Sequence, residues 1–277
     1  MNALVTLFSE YSYVIFVLLL AGASVGFLAG LFGVGGGAIS VPAFYEVFLW
    51  LGYSSDLAMP IAVGTSLAVI IPISISSALG HKRKGTLEPY ILKIWAFPIF
   101  SGVAFGAVIA SFAAPKLFQT VFAAVSALIA FRLLTGIGRK AIAAQLPSRS
   151  IMSVFGFFIG LLSAIMGIGG GALSTIYLSL YNVSIHRAVS TSAAVGAIIS
   201  VPGTVGYIVA GLWVDGLPPG NLGFVSILTF IIFIPTSLVT TKFGVKLAHK
   251  LSKRSLEMLF GSFLLCVSFR FFNAILL

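Results

Sequence analysis

The chain has 277 residues, of which 59% are hydrophobic and only 8% charged, with a formal net charge of +10 and a mean hydropathy of +1.15. A soluble domain carries about 25% charged residues, so this composition excludes a chain solvated on all sides and defines an integral membrane protein. The period-two alternation of outer-membrane strands is absent, so the expected class is all-α; the single Cys266 excludes an internal disulfide.

In chain order, apolar segments fall at 13–32, 38–53, 57–80, 90–112 and 116–136, and again at 151–167, 172–182, 185–210, 221–242 and 254–276. The N-terminus lacks the basic region of a secretory signal, so the first segment reads as a retained span. The second segment of each group is short for a crossing, which takes about 20 residues; it is a tilted short span or half of a re-entrant hairpin. A basic stretch at 138–150, GRKAIAAQLPSRS, separates the groups. The expected organisation is a first transmembrane repeat at 1–137, a cytoplasmic linker at 138–150 and a second repeat at 151–277, together one membrane domain.

The two groups match in three places and in the same order. GVGGGAIS (33–40) answers GIGGGALS (167–174), AVGTS (62–66) answers AVSTS (188–192), and AFRLL (130–134) answers SFRFF (268–272). Three matches in one order indicate an internal duplication. Charge then sets the topology. Lys82, Arg83 and Lys84 follow the third segment, Arg139, Lys140 and Arg149 lie in the linker, and Lys242, Lys246, Lys250, Lys253 and Arg254 lie between the last two segments. Placing these in the cytoplasm satisfies the positive-inside rule. Both termini are then outside, and the halves cross in opposite senses. Such inverted repeats are associated with secondary transporters whose site lies at the repeat interface. The positive charge is thereby assigned to basic loops, and no nucleic-acid partner is expected.

The glycine blocks sit where a continuous helix would otherwise run. Gly22, Gly26, Gly30, Gly33 and Gly37, like Gly102 with Gly106 and Gly156 with Gly160, fit close helix packing through small residues. Close packing does not require three consecutive glycines, and Gly35, Gly36 and Gly37 with Gly169, Gly170 and Gly171 instead favour helix breaks. Non-helical backbone at membrane depth is tolerated only where it is buried or lines a cavity. Freed N–H groups and the positive end of a following half-helix favour an anion.

Thr65, Ser66, Thr191 and Ser192 are hydroxyl donors for the oxygens of such an anion, or else bond back to their own helices. Ser40 and Ser174 are weaker candidates of the same kind. Arg132 and Arg270, at equivalent places near the ends of the fifth segments, either snorkel to the interface or attract substrate along its path. Glu46 is the carboxylate placed to carry a coupling proton, although Leu180 stands near the corresponding place in the other half. Separated histidines offer no metal site, and the missing P-loop leaves no ATP site; no cofactor is expected. GASVG (22–26) has the nucleophile-elbow spacing but lies in an apolar helix rather than a strand-to-helix turn, so an enzyme is not expected.

GVGGGAISVP and GIGGGALS, each followed by an Ala-Val-x-Thr-Ser stretch, resemble the TauE/SafE sulfite exporter family over nearly the whole chain. The resemblance implies a multi-span transporter of the bacterial cytoplasmic membrane whose cargo is sulfite or an organosulfonate such as sulfoacetate. The first block continues Val41–Pro42 and the second Thr175–Ile176; because proline suits a first helical turn, the second half-helix is expected to start differently. The combined expectation is a secondary transporter for a small sulfur-containing oxyanion, working by alternating access and driven by protons or the membrane potential. A passive anion channel of the same architecture is the alternative. The lipid bilayer and a small anion are the expected partners, and a homo-oligomer is compatible with the sequence.

Overall fold

The computed structural model describes residues 2–32, 36–83, 85–136, 142–248 and 250–276. Of the positions singled out above, Gly33, Gly35, Lys84, Gly138, Arg139 and Lys140 lie outside the described residues. In chain order the helices are α1 (Asn2–Phe32), α2 (Gly37–Trp50), α3 (Ser55–Arg83), α4 (Pro89–Phe112) and α5 (Pro115–Thr135). They continue with α6 (Arg149–Met166), α7 (Gly171–Leu180), α8 (Ile185–Gly211), α9 (Ile227–Ala248) and α10 (Lys253–Leu276). Eight are long and apolar enough to cross a bilayer, the exceptions being α2 and α7. With 14 and 10 residues at about 1.5 Å rise each, these two fall short of a hydrocarbon core about 30 Å thick.

Local chemistry sets the ends. α4 and α5 open on Pro89 and Pro115, which need no hydrogen-bond acceptor in a first turn. α5 closes on Gly136 at φ 74° and α6 on Gly167 at φ 67°, left-handed conformations that glycine adopts without strain. Two boundaries differ from the sequence reading. α1 reaches back to Asn2, because no proline or glycine interrupts the polar residues ahead of the span. α9 begins at Ile227 because residues 221–226 form a two-stranded hairpin, Asn221–Leu222 against Val225–Ser226, with Gly220 and Gly223 at positive φ.

Packing is dominated by four pairs, each joining one helix of the first half to one of the second. α1 and α9 run parallel, since Gly22, Gly26 and Gly30 meet Phe233, Ser237 and Thr241 in turn. Thr241 Oγ1 donates to Gly26 O across that seam at 3.0 Å. α4 and α6 also run parallel, Gly156 against Trp95 and Gly160 against Ile99, with Trp95 Nε1 donating to Met152 O at 2.9 Å. α5 and α10 run antiparallel, with Ser268 Oγ donating to Ala123 O at 2.9 Å. α3 and α8 also run antiparallel, Leu67 against Gly203 and Ser74 against Gly196. α3 is buried without interruption from Ala58 to Ile70, which makes it the central helix. The glycines let these seams close to backbone contact, where dispersion rather than water expulsion supplies the attraction.

Candidate functional site

The three glycines of each block do different jobs. The middle one is left-handed, Gly36 at φ 82° and Gly170 at φ 67°, and serves as N-cap of the following helix. A residue with a Cβ pays about 1–2 kcal/mol for that conformation. The third, Gly37 or Gly171, is the first helical residue. Gly37 also has no room for a side chain: a Cβ there would stand 2.9 Å from Ile168 Cα and 3.0 Å from Gly167 O. The two breaks therefore touch each other in the protein interior.

Both half-helices start alike, contrary to the expectation drawn from the proline. Ser40 N–H donates to Gly36 O at 2.8 Å, and Ser174 N–H donates to Gly170 O at 2.9 Å. Pro42 lies in the second turn of α2, too far along to shape the start. Its neighbour matters more: Thr175, in the place of Val41, adds a hydroxyl.

A serine pair sits beside each break, and in the first half it also bonds across to the second break. Ser40 Oγ and Ser66 Oγ are 2.7 Å apart, and Ser66 Oγ donates across the halves to Gly167 O at 2.8 Å. Ser174 Oγ lies 2.6 Å from Gly170 O and 2.8 Å from Ser192 Oγ. Thr175 Oγ1 donates to Ser192 Oγ at 2.9 Å. Ser174 has one proton to share between Gly170 O and Ser192 Oγ, so the hydroxyls of Thr175, Ser192 and Ser174 form one chain that ends on the break.

The threonines have another task. Thr65 Oγ1 accepts the Ser226 N–H at 2.9 Å, just ahead of α9. Thr191 Oγ1 accepts the Glu88 N–H at 3.2 Å, just ahead of α4. Each anchors the entry of a helix in the opposite half.

A cavity of about 440 Å³ runs from the second break toward the ends of α3, α5, α8 and α10 that adjoin the basic loops. Its polar wall holds Gly169, Gly171, Thr175, Ser192, Ser74 and Ser77, and isoleucines and leucines with Phe32 and Phe260 complete it. Among the described residues, Glu257 is the only ionisable side chain in the wall. Gly36, Gly37, Ser40, Thr65, Ser66, Gly170, Ser174 and Thr191 are not in the wall, and Gly35 lies outside the described residues. Ser74, Ser77, Thr175 and Glu257 were not anticipated from the sequence. The repeated Ile-Ser-hydrophobic triplet at 73–75 and 199–201 would have pointed to Ser74.

The charged candidates lie apart from the cavity. Glu46 and Arg270 form a two-pronged ion pair, Nε to Oε1 at 2.9 Å and Nη2 to Oε2 at 3.2 Å. Arg132 Nη2 donates to Ser179 Oγ at 3.4 Å, joining α5 to α7 where the other pair joins α10 to α2. At the basic end Arg187 pairs with Glu88 at 2.6 Å. There Ser190 Oγ contacts His81 Nδ1 at 3.0 Å and Thr86 Oγ1 at 2.7 Å, fastening the α3–α4 loop to α8.

Long apolar helices wrapped around two broken ones, with the non-helical backbone buried, define a multi-span membrane protein of the transporter class. The chain belongs to the sulfite exporter TauE/SafE family, whose sequence profile matches residues 18–271. It is 29% identical to a probable membrane transporter protein of Haemophilus influenzae, over 93% of this chain and 98% of that one. It is 28% identical to a probable membrane transporter protein of Methanocaldococcus jannaschii, over 92% and 94%. No solved structure matches. The family is one of transporters, not enzymes, so its members work on a small molecule in a lipid bilayer.

Proposed function

We propose that the protein is a secondary transporter that moves a small sulfur-containing oxyanion, sulfite or an organosulfonate such as sulfoacetate, by alternating access of two inverted repeats. The observation that carries the reading is the opening of the second glycine break onto a cavity. The N-terminal turn of α7 and the Ser192 hydroxyl border that space. N–H groups in a first helical turn lack intrahelical partners, and the positive end of the dipole favours an anion. With Glu257 the only ionisable side chain in the described wall, backbone and hydroxyl donors hold the anion without a resident cation.

The pairing of helices supports the repeats. Exchanging each first-half helix for its counterpart turns the parallel pair α1/α9 into the parallel pair α6/α4. It turns α3/α8 and α5/α10 into themselves, and both are antiparallel, as a twofold axis in the membrane plane requires. Basic loops at one end support the orientation with both termini outside. A passive channel needs a continuous pore, whereas Tyr45, Phe118, Phe122 and Phe271, none of them in the cavity wall, are at most 2% exposed.

Purified protein in vesicles tests the function. A carrier gives saturable flux and counterflow of labelled sulfite or sulfoacetate, and thermal unfolding shifts upward with the bound anion. Stabilisation by carboxylates and not by sulfonates would overturn the cargo, and unsaturable flux without counterflow would overturn the carrier.

A further inference from the structure

The cavity has a counterpart in sequence at the other end of the molecule, and that counterpart is closed. α5 opens at Pro115 and α10 at Lys253, in the register that pairs Arg132 with Arg270. This register sets Gln119 against Glu257, Phe122 against Phe260 and Phe271 against Leu133. The register of the Thr-Ser pairs sets Ser200 against Ser74 and Ser66 against Ser192. Glu257, Phe260, Leu133, Ser74 and Ser192 all line the cavity. Their partners Gln119, Phe122, Phe271, Ser200 and Ser66 are at most 2% exposed.

The closed cluster is held by few and specific contacts. Gln119 Nε2 donates to Tyr45 Oη at 2.9 Å, and Phe271 packs on Tyr45 and Phe122 with ring centroids 5.4 and 5.0 Å apart. On α8 the counterpart of Ser74 is an oddity. Ser200 Oγ is fully buried and has no hydrogen-bond partner among the described residues, whereas buried hydroxyls are nearly always paired. A hydroxyl that borders the open cavity in a second state, as Ser74 does in this one, has a reason to be there.

We infer that the cluster around Gln119, Phe122, Ser200 and Phe271 is the second mouth of the anion pathway, closed in this structure. It opens toward the face opposite the basic loops when the mouth at Ser74 and Glu257 closes. The inference rests on the alternating-access reading above and adds to it the residues of the second route. The same anion passes both mouths. The two differ in character, because Glu257, paired with Arg254 at 3.8 Å, stands at one and the neutral Gln119 at the other.

Single-cysteine variants in a Cys266→Ala background test the second mouth in oriented vesicles with a membrane-impermeant thiol reagent. Ser74→Cys reacts from the face of the basic loops. Ser200→Cys reacts from the opposite face, about tenfold or more slowly at rest, because a minor state is populated at roughly 0.1–10%. Adding Gln119→Ala removes the bond to Tyr45 and speeds labelling of Ser200→Cys about fivefold, the effect of losing one ordinary hydrogen bond. Labelling of Ser74→Cys stays nearly constant and reports an intact fold. Reaction of Ser200→Cys from the same face as Ser74→Cys overturns the second mouth. So does complete protection from the opposite face, with Gln119→Ala present, in vesicles that still carry the anion. Vesicles that label in the expected pattern but carry neither sulfite nor sulfonate uphold the second mouth and overturn the cargo instead.

Discussion

Ser192 and Thr65 come from the same repeated motif yet serve different ends. Ser192 borders the cavity, so Ser192→Ala raises the half-saturating anion concentration about tenfold, the equivalent of one hydrogen bond at the strong end of the ordinary range. Thr65→Ala leaves the buried Ser226 N–H without its acceptor, which costs about 1–3 kcal/mol. Its readout is a lower unfolding temperature with little change in the anion concentration needed. The sequence reveals the pair but not this division, because the partners of Thr65 and Thr191 lie 161 and 103 residues away. The glycine blocks separate in the same manner. Among the described residues Gly36→Ala meets only Ala29, at 3.5 Å, and suffers chiefly from its φ of 82°, whereas Gly170→Ala also collides with Ile199. Both lower transport, and Gly170→Ala in addition lowers the yield of folded protein in detergent.

Helix extents were legible because lipid forces backbone groups to pair within the segment, and apolar runs bounded by proline, glycine and charge mark those segments. The hairpin at 221–226 escaped notice because its backbone is satisfied by tertiary contacts, Phe224 N–H on Tyr207 O at 3.1 Å among them, which no local pattern encodes. The same distinction decides what glycine does in a helix. A Cβ at Gly26 runs into the Ser237 backbone and one at Gly244 into Phe27 O, whereas Gly80 has nothing within 4 Å among the described residues. Gly26→Ala and Gly244→Ala therefore lower the thermal unfolding temperature by prying α1 from α9. Gly80→Ala raises stability by about 0.5–1 kcal/mol, the entropy that glycine costs inside a helix.

Across the whole molecule neither half closes on itself, since the four main seams each join one half to the other. The two halves expressed as separate chains are accordingly expected to unfold or degrade alone and to restore saturable flux when produced together, measured in vesicles from cells carrying one or both. The proposed duplication is legible in three short motifs. Which helix pairs with which is not, because a glycine stripe specifies close approach without naming its partner.

The parallel seams also bear on how the chain is made. α4 is already in place when α6 emerges, but α1 ends at Phe32 and its partner begins only at Ile227. Throughout most of synthesis α1 keeps its glycine-lined face against lipid, and a ribosome that stops before α9 releases a protein with that face bare. Chains truncated after α8 are expected to lose α1 to membrane proteases while the α4–α6 pair survives digestion. The first helix to enter the bilayer is thus among the last to find its place.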